Sequence, residues 1–240
     1  MRFAIFGDIH ANYEALQAVL ADANKLACTH YVCMGDIVGY NADPIKCLET
    51  IQQMDCPVVK GNHDEQASMT GEKEGFNALA EEAINWTRAQ LAPEHKEWLR
   101  NLRMQRQVRD FTIVHATLDT PHKWGYVFNQ LDAAANFSYQ TTSLCFIGHT
   151  HVPKAYIRDS SVRAIPFEIL RIQAGKKYLI NVGSIGQPRD GNWKSAYAIY
   201  DTTSNEVELR RIEYDIATTQ RKIIEVGLPA KLAERLAAGR

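Results

Sequence analysis

The residues of this 240-residue chain with the most chemistry in their type and spacing are Asp8 with His10, Asp36, Asn62 with His63, His115, and His149 with His151. Each group follows a short apolar run that reads as a β-strand: 2–6, 31–34, 57–60, 111–114 and 143–147. Ligands in open α/β sheets collect beyond the carboxyl ends of strands. Gly7, Gly35, Gly61 and Gly148 precede four of the groups, where a side chain would obstruct a sharp turn or close approach to a ligand. Asp8, Asp36, His10, His115, His149, His151 and Asn62 together offer two carboxylates, four imidazoles and one amide oxygen. One ion in an ordinary nitrogen and oxygen site cannot use seven such donors. Two ions can, if one carboxylate bridges them. Imidazole with carboxylate suits Mn, Fe, Zn, Co or Ni better than Mg or Ca, which take all-oxygen shells. Two divalent cations against two carboxylates leave a positive site, suited to a phosphoryl anion and its transition state.

The elements that must position these residues follow from periodicity. Asn12 is a candidate N-cap, and Leu16, Val19, Leu20 and Ala23 keep helical spacing behind it. A second helix is expected over 44–53. Strands alternating with helices predict an α/β fold with largely parallel pairing. The segment 65–102 departs from that alternation as a helical excursion, with helices over 76–91 and 93–102. Further strands are expected over 156–158, 178–182, 195–201 and 206–214, the last two as a hairpin across 202–205. A helical stretch begins at about Ile216 and breaks near 227–229. Without an internal repeat or a Pro/Gly/Ser linker, the expectation is one domain over 1–240.

Composition narrows the function classes. Hydrophobic residues make up 45% and charged residues 23%, which excludes disorder and collagen-like structure. A formal net charge of -1 excludes a globally basic nucleic-acid binder but permits a local positive site. The five cysteines form no C-x-x-C pair and their number is odd, against a disulfide framework or a zinc ribbon. Reduced thiols point to the cytoplasm. Residues 2–6 are too short for the apolar region of a secretory signal, and no run approaches the roughly 20 apolar residues of a membrane helix. Trp124 and Tyr126 have two readings, stacking on a nucleobase or packing in the core or a lid. Arg100, Arg103, Arg106 and Arg109 read as a solvated basic face.

The motifs Gly7-Asp8-Ile9-His10, Gly35-Asp36, Gly61-Asn62-His63-Asp64, His115-Ala116 and Gly148-His149-Thr150-His151 stand in the order found in the calcineurin-like metallophosphoesterase superfamily, which the chain resembles. The segment from Asn181 to Gly191 resembles the compact microbial, phosphodiesterase-like branch. The resemblance implies an α/β fold, a four-layer α-β-β-α sandwich of two stacked mixed β-sheets flanked by helices. It implies that Asp8, His10 and His151 hold one metal, that Asn62, His115 and His149 hold another, and that Asp36 bridges. The cofactors implied are two divalent transition-metal ions, manganese first among Mn, Fe, Zn, Ni and Co. His63 becomes the catalytic residue, protonating the leaving oxygen or donating to developing charge. Asp64 either orients His63 or forms a salt bridge elsewhere. The reaction implied is in-line attack of metal-bound hydroxide on a phosphate ester.

One departure matters. Gly35-Asp36-Ile37-Val38-Gly39-Tyr40 lacks the second Asp and the Arg of the Gly-Asp-x-Val-Asp-Arg-Gly motif in serine/threonine protein phosphatases and symmetrical diadenosine tetraphosphate hydrolases. Arg189 is the candidate to supply the missing positive charge to substrate. The expected activity is that of a phosphodiesterase acting on a small phosphate ester or nucleotide. The alternatives are a nucleotide or dinucleoside polyphosphate hydrolase, a phosphomonoesterase or protein phosphatase, and a non-catalytic scaffold. A scaffold would typically have lost ligands that this chain keeps.

Overall fold

The computed structural model describes residues 1–69 and 76–240. Two β-sheets form its middle. Strands β1 (Arg2–Phe6), β2 (His30–Cys33), β8 (Ile169–Arg171), β10 (Ser195–Asp201) and β11 (Glu206–Ile212) make the first, in the order β2-β1-β10-β11-β8. Strands β3 (Gln105–Val108), β4 (Phe111–Val114), β5 (Leu144–Ile147), β6 (Lys154–Arg158), β7 (Val162–Ile165) and β9 (Lys177–Asn181) make the second, in the order β3-β4-β5-β9-β6-β7.

Side chains alternate across each strand, and this alternation builds the layers. Phe3 and Ile5 of β1, Phe111 and Ile113 of β4, Leu144 and Phe146 of β5, and Ala198 and Tyr200 of β10 share one buried cluster between the sheets. Phe111 sits among Phe3, Phe146 and Tyr200, with ring centroids 5.3, 5.4 and 5.8 Å away, all edge-on. The intervening residues face outward. Ala4 and Phe6 pack with Leu16 and Val19 of α1 (Tyr13–Lys25) and Leu48 of α2 (Pro44–Gln53). Cys145 and Ile147 pack with Ala133 and Phe137 of α6 (Gln130–Tyr139) on the other side. The result is the four-layer α-β-β-α sandwich.

The pairing is mixed, not largely parallel. β1 with β2, β4 with β5 and β5 with β9 are parallel, whereas the hairpins β10-β11 and β6-β7 and the remaining pairs are antiparallel. Strand–helix alternation identified the parallel units but says nothing of strands added by hairpins. The strand expected over 57–60 is reduced to isolated bridges, Cys33 with Val58 and Val59 with Arg103. Pro57 lacks a ladder donor, and the chain must turn at once into α3 (Asn62–Ser68). That helix was not expected, nor were β3, β7, β8 and α6.

The excursion carries α4 (Ala78–Gln90) and α5 (Pro93–Arg100). The part of it over 70–75 lies outside the described residues. The C-terminal stretch forms α7 (Ile216–Glu225) and α8 (Ala230–Ala238), broken at Gly227 as expected. Lys222 ties α7 to Glu14 and Asp43. Leu232, Ala233 and Leu236 bury the apolar face of α8 against Tyr40, Ala80 and Ala83.

Candidate metal centre

The loops that follow β1, β2, β4 and β5 meet at one end of the sandwich. Their backbones cross-link. Asp8 N–H donates to the Gly35 carbonyl at 2.9 Å, His10 N–H to Asp36 at 2.9 Å, and Gly148 N–H to His115 at 2.9 Å. The loop after β9 joins them, with Ser184 Oγ donating to the Asp8 carbonyl at 2.8 Å. Asp8, His10, Asp36, His149 and His151 all have positive φ, between 47° and 68°. Non-glycine residues seldom adopt this region, and each such position costs on the order of 1–3 kcal/mol. The strain turns successive side chains inward. Gly61 and Gly148 are required for close approach: a Cβ would lie 2.0 Å from Asp36 Oδ1 at Gly61 and 2.5 Å from Asp8 Oδ2 at Gly148.

Six of the seven expected donors converge, and Asn62 lines the same cavity. The ligand atoms of Asp8, His10 and His151 lie within 4.8 Å of one another, as do those of Asp36, His115 and His149. Asp36 Oδ2 stands between the two groups, 3.6 Å from His10 Nε2 and 3.4 Å from His115 Nε2. Asp8 Oδ1 is 3.2 Å from His151 Nε2 and 3.9 Å from His115 Nε2. Asn62 enters from the first turn of α3, its Oδ1 buried and without a hydrogen-bond partner. His10, Asp36 and His63 form a third close group.

The imidazoles are oriented by main-chain carbonyls. Nδ1–H of His10, His115 and His151 donates to Val38, Met34 and Gln187 at 3.2, 2.8 and 2.6 Å, and Nε2–H of His149 donates to Trp124 at 2.9 Å. A carbonyl only accepts, so in each neutral ring the opposite nitrogen carries a lone pair. These lone pairs face one another, His10 Nε2 against His151 Nε2 at 3.1 Å and His115 Nε2 against His149 Nδ1 at 3.2 Å. Two acceptors at that distance call for a proton or a cation between them. Together with the orphaned Asn62 oxygen, this donor set fits divalent metal ions.

Electrostatics agree. Burial opposes charge on His115, but Asp36, Asp8 and the Met34 carbonyl outweigh it and push its pKa up to about 10. Burial, then His115, pushes His149 down to about 3. Asp36 is held well below the carboxylate range by His115 and His63 despite burial, which opposes its charge. The carboxylates thus attract positive charge that the buried imidazoles only partly supply.

His63 lies at the cavity side. Its ring is 4.7 Å from His10, 4.4 Å from Tyr40 and 4.8 Å from Phe76, and its Nδ1 is buried without a partner. Burial holds its pKa down to about 4. Asp64 does neither of the things expected of it. Its carboxylate accepts from the Ile37 and Gly61 N–H groups at 2.8 and 3.0 Å, locking the Asp36 loop onto the start of α3. It is a positioning residue for Asp36 and Asn62.

A cavity of about 350 Å³ opens over the cluster, reached by Asp36, Asn62, His63, His149 and His151 from below. Arg189 lines it, held by Gln187 Oε1 at 2.8 Å and the Tyr40 hydroxyl at 3.4 Å. Phe76, Asn77 and Ala80 bring the helical excursion to its wall. Trp124 packs and positions, donating from Nε1 to Glu65 at 3.1 Å while its carbonyl holds His149. Tyr126 stacks on His149 at 4.2 Å and is about half exposed. Of the basic run, Arg100, Arg103 and Arg109 are exposed and Arg106 is half-buried, and Arg100 donates from Nη1 to the Ser68 carbonyl at the end of α3 at 2.7 Å. Sequence reasoning missed Tyr40, Gln187 and Arg235, which also border or build the cavity. Nothing local marks Arg235, since an arginine on an amphipathic helix usually faces solvent.

The chain belongs to the calcineurin-like phosphoesterase superfamily, whose domain model matches residues 1–205. This superfamily uses divalent metal ions, in keeping with the clustered donors. A crystal structure of a metallophosphoesterase from Sphaerobacter thermophilus is 38% identical and covers 100% of this chain and 99% of its own, with a TM-score of 0.88. An uncharacterized protein of Methanocaldococcus jannaschii is 36% identical over 99% of this chain and 98% of its own length. A hypothetical protein from Pyrococcus horikoshii shares the fold, with a TM-score of 0.82 at 19% identity, covering 100% and 98% of the two chains. No helix among the described residues is long and apolar enough to cross a membrane.

Proposed function

We propose that this protein is a binuclear-metal phosphoesterase, most suited to phosphodiesters. The observation that carries the reading is the pairing of imidazole lone pairs around Asp36 Oδ2, within reach of His10 on one side and His115 on the other. In this proposal Asp8, His10 and His151 hold one divalent transition-metal ion, Asn62, His115 and His149 hold the second, and Asp36 bridges. Manganese is the first candidate, with Fe, Zn, Ni and Co as alternatives on the same donors. When bound, the ions activate water as a nucleophile and neutralise phosphoryl charge.

The remaining groups are the chain's own. His63 lines the cavity while its Nδ1 is buried against Gly39, and the position of the ring at the cavity wall supports a role in donating a proton or hydrogen bond to the leaving oxygen. Its low pKa without the ions favours a neutral ring, so a donated proton must be held by charge that develops beside it. The Asp36 carboxylate accepts from His63 N–H at 2.8 Å, which sets the start of α3 and the reach of the ring. Arg189 supplies a guanidinium for phosphoryl oxygens in place of the arginine absent at position 40. The chain would act as one domain over 1–240, and its buried free thiols support a cytoplasmic setting. A second reading, hydrolysis of nucleotide polyphosphates, draws support from the half-exposed Tyr126 at the cavity wall, whose ring already stacks with His149 and Phe128 and could meet a nucleobase only at its rim.

The test is to strip the protein with chelator, restore Mn²⁺, and compare bis-p-nitrophenyl phosphate with p-nitrophenyl phosphate. Manganese-dependent turnover favouring the diester is expected. Preference for the monoester would make the protein a phosphatase, and bound metal without turnover of either ester would remove the proposed activity.

A further inference from the structure

The C-terminal helix brings a second arginine to the cavity. Arg235 of α8 lines it together with Arg189, and both guanidiniums lie over the ring of Tyr40, at 5.7 Å for Arg189 and 5.8 Å for Arg235. Tyr40 in turn packs against His63 and His10. The arrangement is built, not incidental. Gly191 N–H donates to the Gly239 carbonyl at 3.0 Å, tying the loop of Arg189 to the end of α8. Leu232, Ala233 and Leu236 fix the helix against Tyr40 and α4, so Arg235 has one face on which to emerge.

Neither arginine forms an ion pair with a carboxylate among the described residues. Arg235 Nε donates to the Arg240 carbonyl at 2.6 Å, and its two Nη groups have no protein partner among the described residues. Arg189 spends Nε and Nη2 on Gln187 and Tyr40, leaving Nη1 without a partner among the described residues. Two like charges held near one another, partly out of water, repel. Burial, then Arg189, holds the Arg235 guanidinium below its ordinary pKa. An anion between them would relieve that repulsion and use the open donors, and a phosphate suits the planar guanidinium fork.

We propose that Arg235, with Arg189 and Tyr40, forms a second anion subsite, which selects phosphoesters bearing another phosphate remote from the scissile one. The proposal deepens the phosphoesterase reading and rests on it for the position of the scissile group. Arg235 is a specificity residue here, outside the reacting centre. It lies beyond residue 205, where the family model's match ends, so this selectivity belongs to the C-terminal helix α8.

The experiment is calorimetric binding to the 240-residue chain loaded with Mn²⁺, using thymidine 5′-monophosphate, 5′-triphosphate and 3′,5′-bisphosphate, for wild type, Arg235→Gln and Arg235→Lys. The 5′-triphosphate or the 3′,5′-bisphosphate is expected to bind wild type about 10-fold or more tighter than the monophosphate, each good charge-assisted contact contributing on that order. In Arg235→Gln that ratio should fall to within about 2-fold of one, and Arg235→Lys should keep part of it. A ratio near one in wild type overturns the proposal. So does a ratio unchanged in Arg235→Gln, including the case where all affinities drop together, which marks a merely structural arginine. Because binding is read and not turnover, discrimination lost in Arg235→Gln supports the subsite even if the esterase assay fails, and that combination would remove the activity alone.

Discussion

The core between the sheets and the crown of loops at their end are built on opposite terms. In the core, Phe3, Phe111, Phe146 and Tyr200 sit on regular strands, each paired with a neighbouring strand on both sides. In the crown, Asp8, His10, Asp36, His149 and His151 are just as buried, yet they are charged or polar and stand on backbone of positive φ. Burying such groups is costly unless they are paired with one another or with a cation. The contrast teaches that the core supplies rigidity and the crown supplies affinity. The crown keeps its strained geometry because the sheets beneath it, the loop cross-links and Asp64 leave it no alternative.

Mutations that separate the two regions test this division. Phe111→Ala should lower stability by about 3–5 kcal/mol in urea unfolding, while metal affinity per folded molecule stays as in wild type. Loss of metal at low denaturant would merge the two regions and break the contrast. Asp36→Asn should do the reverse, lowering kcat/KM by about 10³-fold or more, worth about 4 kcal/mol, with a melting temperature close to that of the metal-free wild type. His63→Ala should cost about 10²–10³-fold in kcat. The loss should grow with the basicity of the leaving group, whereas metal content stays unchanged; equal losses on good and poor leaving groups would deny the proton-donor role. Gly148→Ala sharpens the comparison most finely. The added methyl pushes on Asp8 Oδ2, and metal affinity should fall about 10–100-fold by calorimetry, with little change in the sheets beneath.

The strands were legible from the sequence because 2–6, 111–114, 143–147 and 195–201 are short apolar runs, buried on both faces, but periodicity alone did not stack them into two sheets. The grouping of Asp8, His10, Asp36, His115, His149 and His151 was legible too, since each of them follows a strand end. The helix at Asn62–Ser68 was not legible. It is short, lacks an amphipathic repeat, and is started by Gly61 and by Asp64 reaching back to the Gly61 N–H. Edge strands β3, β7 and β8 are half-exposed and owe their pairing to their neighbours. Antiparallel additions to a parallel unit leave no local mark, which is why alternation alone read the pairing as largely parallel while the family resemblance gave mixed sheets. Arg235 was out of reach for a different reason: α8 reveals its apolar face, but only the docked helix shows where its polar face points.

The central claim is that the crown holds two divalent ions with Asp36 between them. Elemental analysis of the chain after chelation, Mn²⁺ loading and desalting tests it directly. The account predicts two Mn per chain in wild type and one or fewer in Asp36→Asn. One or fewer in wild type, or two retained in Asp36→Asn, would contradict it.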